Sequence, residues 1–109
     1  MDYSYSKAHL KAILTDLHAS ENLKKKMRYL MTICEKHNVH PMDIVLTHDV
    51  YPVLEEKFGD TQNEIKEYLN GWIRKLYKED KDIFKRLFYY NKRPTLKKFI
   101  QLILDECLV

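Results

Sequence analysis

Turn-forming residues are nearly missing from this chain: two glycines and three prolines serve all 109 positions. Turn-rich all-β domains, collagen-like repeats and low-complexity linkers need many more of them. Between these few breaks the apolar residues recur every three or four positions, the period of an amphipathic helix. A mostly helical chain is the expected outcome, and its length allows one domain over residues 1–109. Gly59 and Gly71 lie twelve positions apart, so no glycine-rich phosphate loop can form.

The stripes can be followed along the chain. Leu10, Ile13, Leu14 and Leu17 mark a first helix that Ser6 can cap, and Leu23, Met27, Leu30, Ile33 and Cys34 mark a second, from about Glu21 to His37. Pro41 opens a short turn reaching about Leu46. Thr47 is the expected cap of a third helix carrying Val50, Leu54 and Phe58, with an irregular first turn at Pro52 and an end at Gly59. Thr61-Gln62-Asn63-Glu64 reads as a capping box for a fourth helix, whose buried face is Ile65, Leu69, Trp72, Ile73 and Leu76. Ile83, Phe84, Leu87 and Phe88 form a short apolar segment. Pro94 and Thr95 introduce a last helix with a stripe of Leu96, Phe99, Ile100, Ile103 and Cys107. Leu102, Leu104 and Leu108 lie off that stripe, so this helix is either deeply buried or a self-association surface. The fold expected is a compact all-α bundle of about six helices with a helix-turn-helix at about 47–77.

Several function classes fall away. The longest apolar run is four residues, and the N-terminus lacks the basic start and apolar run of a signal peptide, so no membrane segment and a cytoplasmic location are expected. Cys34 and Cys107 sit among apolar helical positions and read as reduced core cysteines. Cys34, His37 and His40 share a C-x-x-H-x-x-H spacing, but His40 lies past the predicted helix end and no fourth ligand is evident, so no metal is expected. His9, His18 and His48 build no nucleophile arrangement, and the adjacent pairs Glu55-Glu56 and Asp105-Glu106 diverge by about 100° on a helix. Neither an enzyme nor a cofactor or small-molecule substrate is expected.

The 47–77 segment is the informative one, as either a DNA-reading helix-turn-helix or a plain helical hairpin. Val50-Tyr51-Pro52, Glu56-Lys57-Phe58 and a capped helix ending at Tyr77 resemble the C-terminal DNA-binding effector domain of the sporulation response regulators, the stage 0 sporulation protein A family. That family has an L-Y-P-x-I-A-x-K-Y run leading into its recognition helix. Residues 13–77 lie on its pattern without a gap, and Leu17, Leu23, Met27, Ile33, Ile65, Leu69 and Ile73 fall on its apolar positions. Leu87-Phe88 and Arg93-Pro94-Thr95 with Phe99-Ile100 match later elements, after a shorter connection before Pro94. The resemblance implies a six-helix DNA-binding fold that pairs on tandem sites.

Two departures shape the expectation. The family's regulators carry a phosphorylatable receiver domain, which residues 1–12 are too few to hold, so a stand-alone protein is expected. The family's recognition helix presents Arg, Arg and His, preceded by Glu, where this chain has Glu67, Asn70 and Gly71, preceded by Lys66. By period, Asn63, Lys66, Glu67, Asn70 and Arg74 share the exposed face of the fourth helix. Asn70 can read adenine, Lys66 or Arg74 can hold guanine or phosphate, and Glu67 can accept only from cytosine's amino group.

The formal charge of +3 is unevenly spread: residues 39–67 carry net −5, and residues 74–98 carry net +7. Lys85, Arg86, Lys92, Arg93, Lys97 and Lys98 are therefore general phosphate candidates, with Lys24-Lys25-Lys26 and Arg28 as a further patch. The first reading is a DNA-binding transcriptional regulator with an altered recognition helix, its candidate contacts being Asn63, Lys66, Glu67, Asn70, Arg74, Lys92 and Arg93. The alternative is an interaction protein that kept the fold, lost sequence-specific DNA binding, and meets a protein partner or a second copy through the last helix.

Overall fold

A computed structural model describes residues 2–109 and contains six α-helices: α1 (Lys7–Asp16), α2 (Glu21–Lys36), α3 (Tyr51–Phe58), α4 (Gln62–Glu79), α5 (Ile83–Phe88) and α6 (Leu96–Cys107). A 3-10 turn at Pro41–Asp43 and a π-helical turn at Leu46–Val50 join α2 to α3. Among the described residues, extended pairing is confined to one isolated bridge, Tyr5 to Leu108. The chain is an all-α bundle, as the periodicity requires.

The helices begin where local chemistry places them. The hydroxyls of Ser6, Ser20 and Thr95 accept from the amides of His9, Leu23 and Lys98 at 3.1, 3.2 and 3.2 Å, so each cap satisfies an amide the helix leaves free. Such a cap contributes about 1 kcal/mol.

The start of α3 departs from expectation, because Thr47 caps nothing. It lies inside the π-helical turn, where the Tyr51 amide reaches back five residues to the Leu46 carbonyl. The cause is Pro52, the second residue of α3, which has no amide to close a normal helical bond to residue 48. The wider turn absorbs that gap, and within it the Asp49 carboxylate accepts from the Val45 amide at 2.8 Å.

The breadth of apolar residues on α6 is explained by burial. Leu96, Phe99, Ile100, Ile103, Leu104 and Cys107 are all buried, while Leu102 and Leu108 are half-buried against the same core. The helix packs on α1, α4 and the 3-10 turn. Self-association through the last helix therefore loses its basis, since its second apolar side is spent inside its own chain.

Three long-range hydrogen bonds fix the frame around α4 and the termini. The Trp72 indole N–H donates to the Leu17 carbonyl at 2.8 Å, satisfying the end of α1 from within α4. The Tyr5 hydroxyl donates to the Val39 carbonyl at 2.6 Å, and the Ser6 amide donates to the Cys107 carbonyl at 2.7 Å.

Candidate nucleic-acid interface

The unit formed by α3, its connection and α4 is set by three residues. Gly59 ends α3 with φ +75°, a left-handed conformation that favours glycine. Thr61 and Glu64 close the capping box, with the Glu64 amide on the Thr61 hydroxyl at 3.2 Å and the Thr61 amide on the Glu64 carboxylate at 3.0 Å. Asp60, between them, receives the Lys26 ammonium from α2 at 2.8 Å and the Tyr68 hydroxyl at 3.1 Å. The Lys26 ammonium lies 4.3 Å from the Tyr68 ring centroid and 5.7 Å from that of Phe58.

Lys26 is only 6% exposed, so it is removed from the basic patch expected of residues 24–28. The run of three lysines concealed this. Yet Lys26 stands four positions before Leu30 and eight before Cys34, on the buried stripe of α2, and that register is the available signal.

The five candidate residues of α4 share one outward face. Asn63, Glu67 and Arg74 are exposed, and Lys66 and Asn70 are half-buried. They extend over about 16 Å of helix axis at ~1.5 Å per residue. Among the described residues, the side chains of Asn63, Glu67, Asn70 and Arg74 have no hydrogen-bond or ion-pair partner within the chain. The Lys66 ammonium leans over the Tyr51 ring at 5.6 Å. A β-carbon on Gly71 would meet nothing nearer than the Arg74 guanidinium at 3.8 Å, so no steric demand of the chain itself requires glycine there.

Three of the carboxylates behind the net −5 are engaged within the chain, one of them by a cation. Asp60 is neutralised by Lys26, Asp49 holds the Val45 amide, and Glu64 serves the capping box. Glu64 also occupies the positive end of the α4 dipole, so that helix terminus is satisfied within the chain.

The remaining cations form two further surfaces. Lys92 and Arg93 are exposed in the α5–α6 connection, outside the five-residue row on α4. Lys92 and Lys98 flank the Tyr90 ring at 5.9 and 5.5 Å. Arg86 is tied to Asp80 at 2.7 Å, and this hydrogen bond holds the Asp80 carboxyl below its ordinary range. Between α1 and α2, Lys7, Lys11, Lys24 and Arg28 line a groove of about 500 Å³ with Glu21 as its one carboxylate. Sequence reasoning missed this groove because its cations come from two helices.

Of the C-x-x-H-x-x-H residues, Cys34 and His37 line one cavity with His48 and Asp49, and His40 is engaged elsewhere. His40 caps the 3-10 turn, its Nδ1 accepting from the Met42 amide at 3.0 Å. Among the described residues, no three metal-ligating side chains converge. Burial, reinforced by Asp49, pushes the Cys34 thiol up to about 12, and burial pushes Cys107 up to about 11. The folded state thus favours both protonated thiols. Their contribution to stability is complete below the ordinary thiol value and falls as pH rises toward about 11 for Cys107 and about 12 for Cys34. We expect an aromatic disulfide reagent at pH 8 to titrate neither thiol rapidly in the native protein and both in urea. Fast native labelling would contradict their burial.

Fold and surface together define a small all-α domain with an open polar helix face and separate cationic surfaces. No protein-family model, curated protein or solved structure matches this chain.

Proposed function

We propose that this chain is a cytoplasmic DNA-binding transcriptional regulator of the sporulation-effector kind, with α3 and α4 acting as a helix-turn-helix of altered recognition. The observation that carries this reading is the open face of α4. Among the described residues, the side chains of Asn63, Glu67, Asn70 and Arg74 have no hydrogen-bond or ion-pair partner, on a helix whose other side is anchored by Ile65, Leu69, Trp72 and Ile73. In the major groove, Asn70 pairs with adenine and Arg74 with guanine, while Glu67 favours cytosine and repels phosphate. Lys66, Lys92 and Arg93 supply phosphate contacts, which position the protein without reading sequence.

Selection from randomised duplexes at near-physiological salt tests this reading, with an enriched motif as the expected result. Arg74→Glu should then weaken binding to the selected site by about tenfold or more, since a good bidentate contact is worth ~1–3 kcal/mol. No enriched motif, with only steeply salt-dependent binding, would sink the proposal. The same result would favour the alternative of an adaptor that kept the fold, for which Glu67 on the reading face is the supporting feature.

A further inference from the structure

The α5–α6 connection carries an aromatic side chain that the chain itself does not use. α5 ends at Tyr89, whose backbone is left-handed with φ +56° and ψ 31°. This conformation is costly for a residue with a β-carbon. It is held by the Tyr89 amide on the Lys85 carbonyl at 2.9 Å and the Tyr90 amide on the Phe84 carbonyl at 3.2 Å. The neighbours turn inward, Phe88 into the core and Tyr90 against it. Tyr89 is turned outward and is 91% exposed. Among the described residues its ring has no aromatic, cationic or hydrogen-bonded partner.

The segment that carries Tyr89 is rich in cations, with the carboxylates Asp80 and Asp82 before the start of α5. Residues 83–104 contain six cations, Lys85, Arg86, Lys92, Arg93, Lys97 and Lys98, and no carboxylate. Arg86 is engaged by Asp80, which leaves the others free of ion pairs among the described residues. A bare planar ring among unpaired cations fits a ligand that is both planar and polyanionic. Acidic peptides supply charge without planar faces. Membrane docking needs aliphatic area, and Tyr89 is the one exposed large apolar side chain of this connection. Within a duplex, base faces are covered by their neighbours, so a single strand is the better match.

We propose that residues 85–98 form a single-stranded nucleic-acid contact in which the Tyr89 ring stacks on an unpaired base and Lys85, Lys92 and Arg93 hold the flanking phosphates. This rests on the nucleic-acid reading above and shares Lys92 and Arg93 with it, but its stacking residue lies outside α4.

Fluorescence anisotropy on the full chain at near-physiological salt tests it, with a dye-labelled DNA strand of about fifteen nucleotides and the duplex of the same sequence. Tyr89→Gly should weaken single-strand binding by about tenfold or more. Its Tm should stay level or rise, because glycine suits the left-handed position. Tyr89→Phe keeps the stacking face and should bind within about twofold of the unaltered chain. The inference is overturned if Tyr89→Gly binds the strand as before, or if Tyr89→Phe falls as far as Tyr89→Gly, which would mark a hydroxyl–phosphate contact. Tyr89-dependent sedimentation with phosphatidylserine vesicles and no strand binding would overturn it as well. Binding of duplex alone, lost in Arg74→Glu, would overturn the stacking contact and leave the α4 reading standing. Strand binding that survives Arg74→Glu, with no selected duplex motif, would support the stacking contact and remove that reading.

Discussion

Phe99→Ala is expected to destabilise the fold by about 4 kcal/mol, the range for deleting a large aromatic side chain from a packed core. Phe99 is fully buried, one turn into α6. Its ring meets Trp72 edge-on at 4.9 Å and Phe84 at 5.9 Å, so one side chain joins α4, α5 and α6. Such edge-to-face pairs add about 0.5–1.5 kcal/mol each beyond burial. Domains of this size hold only ~5–15 kcal/mol in total, so the loss is a large share of the whole. A Tm decrease of roughly 15 °C or more follows. Urea unfolding followed by Trp72 fluorescence reads the change, with half-buried Leu102→Ala as the mild comparison. A loss below about 1 kcal/mol would mean that α6 is not the centre of the core. Leu104→Glu asks the same question more harshly. A carboxylate at that buried position has no partner, so the chain should fail to fold. If α6 were a docking surface, that variant would remain folded and monomeric.

What the sequence discloses here is what depends on near neighbours. Ser6, Gly59, the Thr61–Glu64 box and Thr95 act over four residues or fewer, so the ends of α1, α3, α4 and α6 can be read directly. The α4 face is equally legible, because period alone sets Asn63, Glu67, Asn70 and Arg74 opposite Ile65, Leu69 and Trp72. Thr47 shows the limit of such reading. Pro52 announces an irregular turn, but not that a π-helical one takes in Thr47 and leaves it capping nothing. The breadth of α6 fits two outcomes until α1 and the 3-10 turn are seen covering it. Contacts between distant residues leave no local pattern at all: Trp72 with Leu17 spans 55 positions, and the groove cations come from two helices. Tyr89 is hidden in sequence for a different reason. Nothing in the pattern Phe88-Tyr89-Tyr90 says which ring faces out; the left-handed turn at Tyr89 decides it.

Lys26→Met should cost about 3 kcal/mol, at the lower end for breaking a buried ion pair because the Asp60 side chain keeps 19% exposure. Methionine can fill the space of the lysine stem beside Phe58 and Tyr68, so lost packing is a small part of the cost. The larger part is the Asp60 carboxylate, left with the Tyr68 hydroxyl and no cation. Adding Asp60→Asn removes that charge while keeping a residue suited to turns, and should recover about half of the loss. Chemical denaturation of both single variants and the double variant gives the coupling directly. A coupling below about 0.5 kcal/mol would show that the pair is a bystander. The double variant also bears on the proposed reading of DNA. Asp60 lies in the connection between α3 and α4, and its partner comes from α2, so the pair ties the α3–α4 unit to the rest of the bundle. If that tie orients α4, the double variant regains stability but binds its selected site more weakly than the unaltered chain. If turn and capping box suffice, affinity returns with stability, and the role of Lys26 is confined to neutralising the connection.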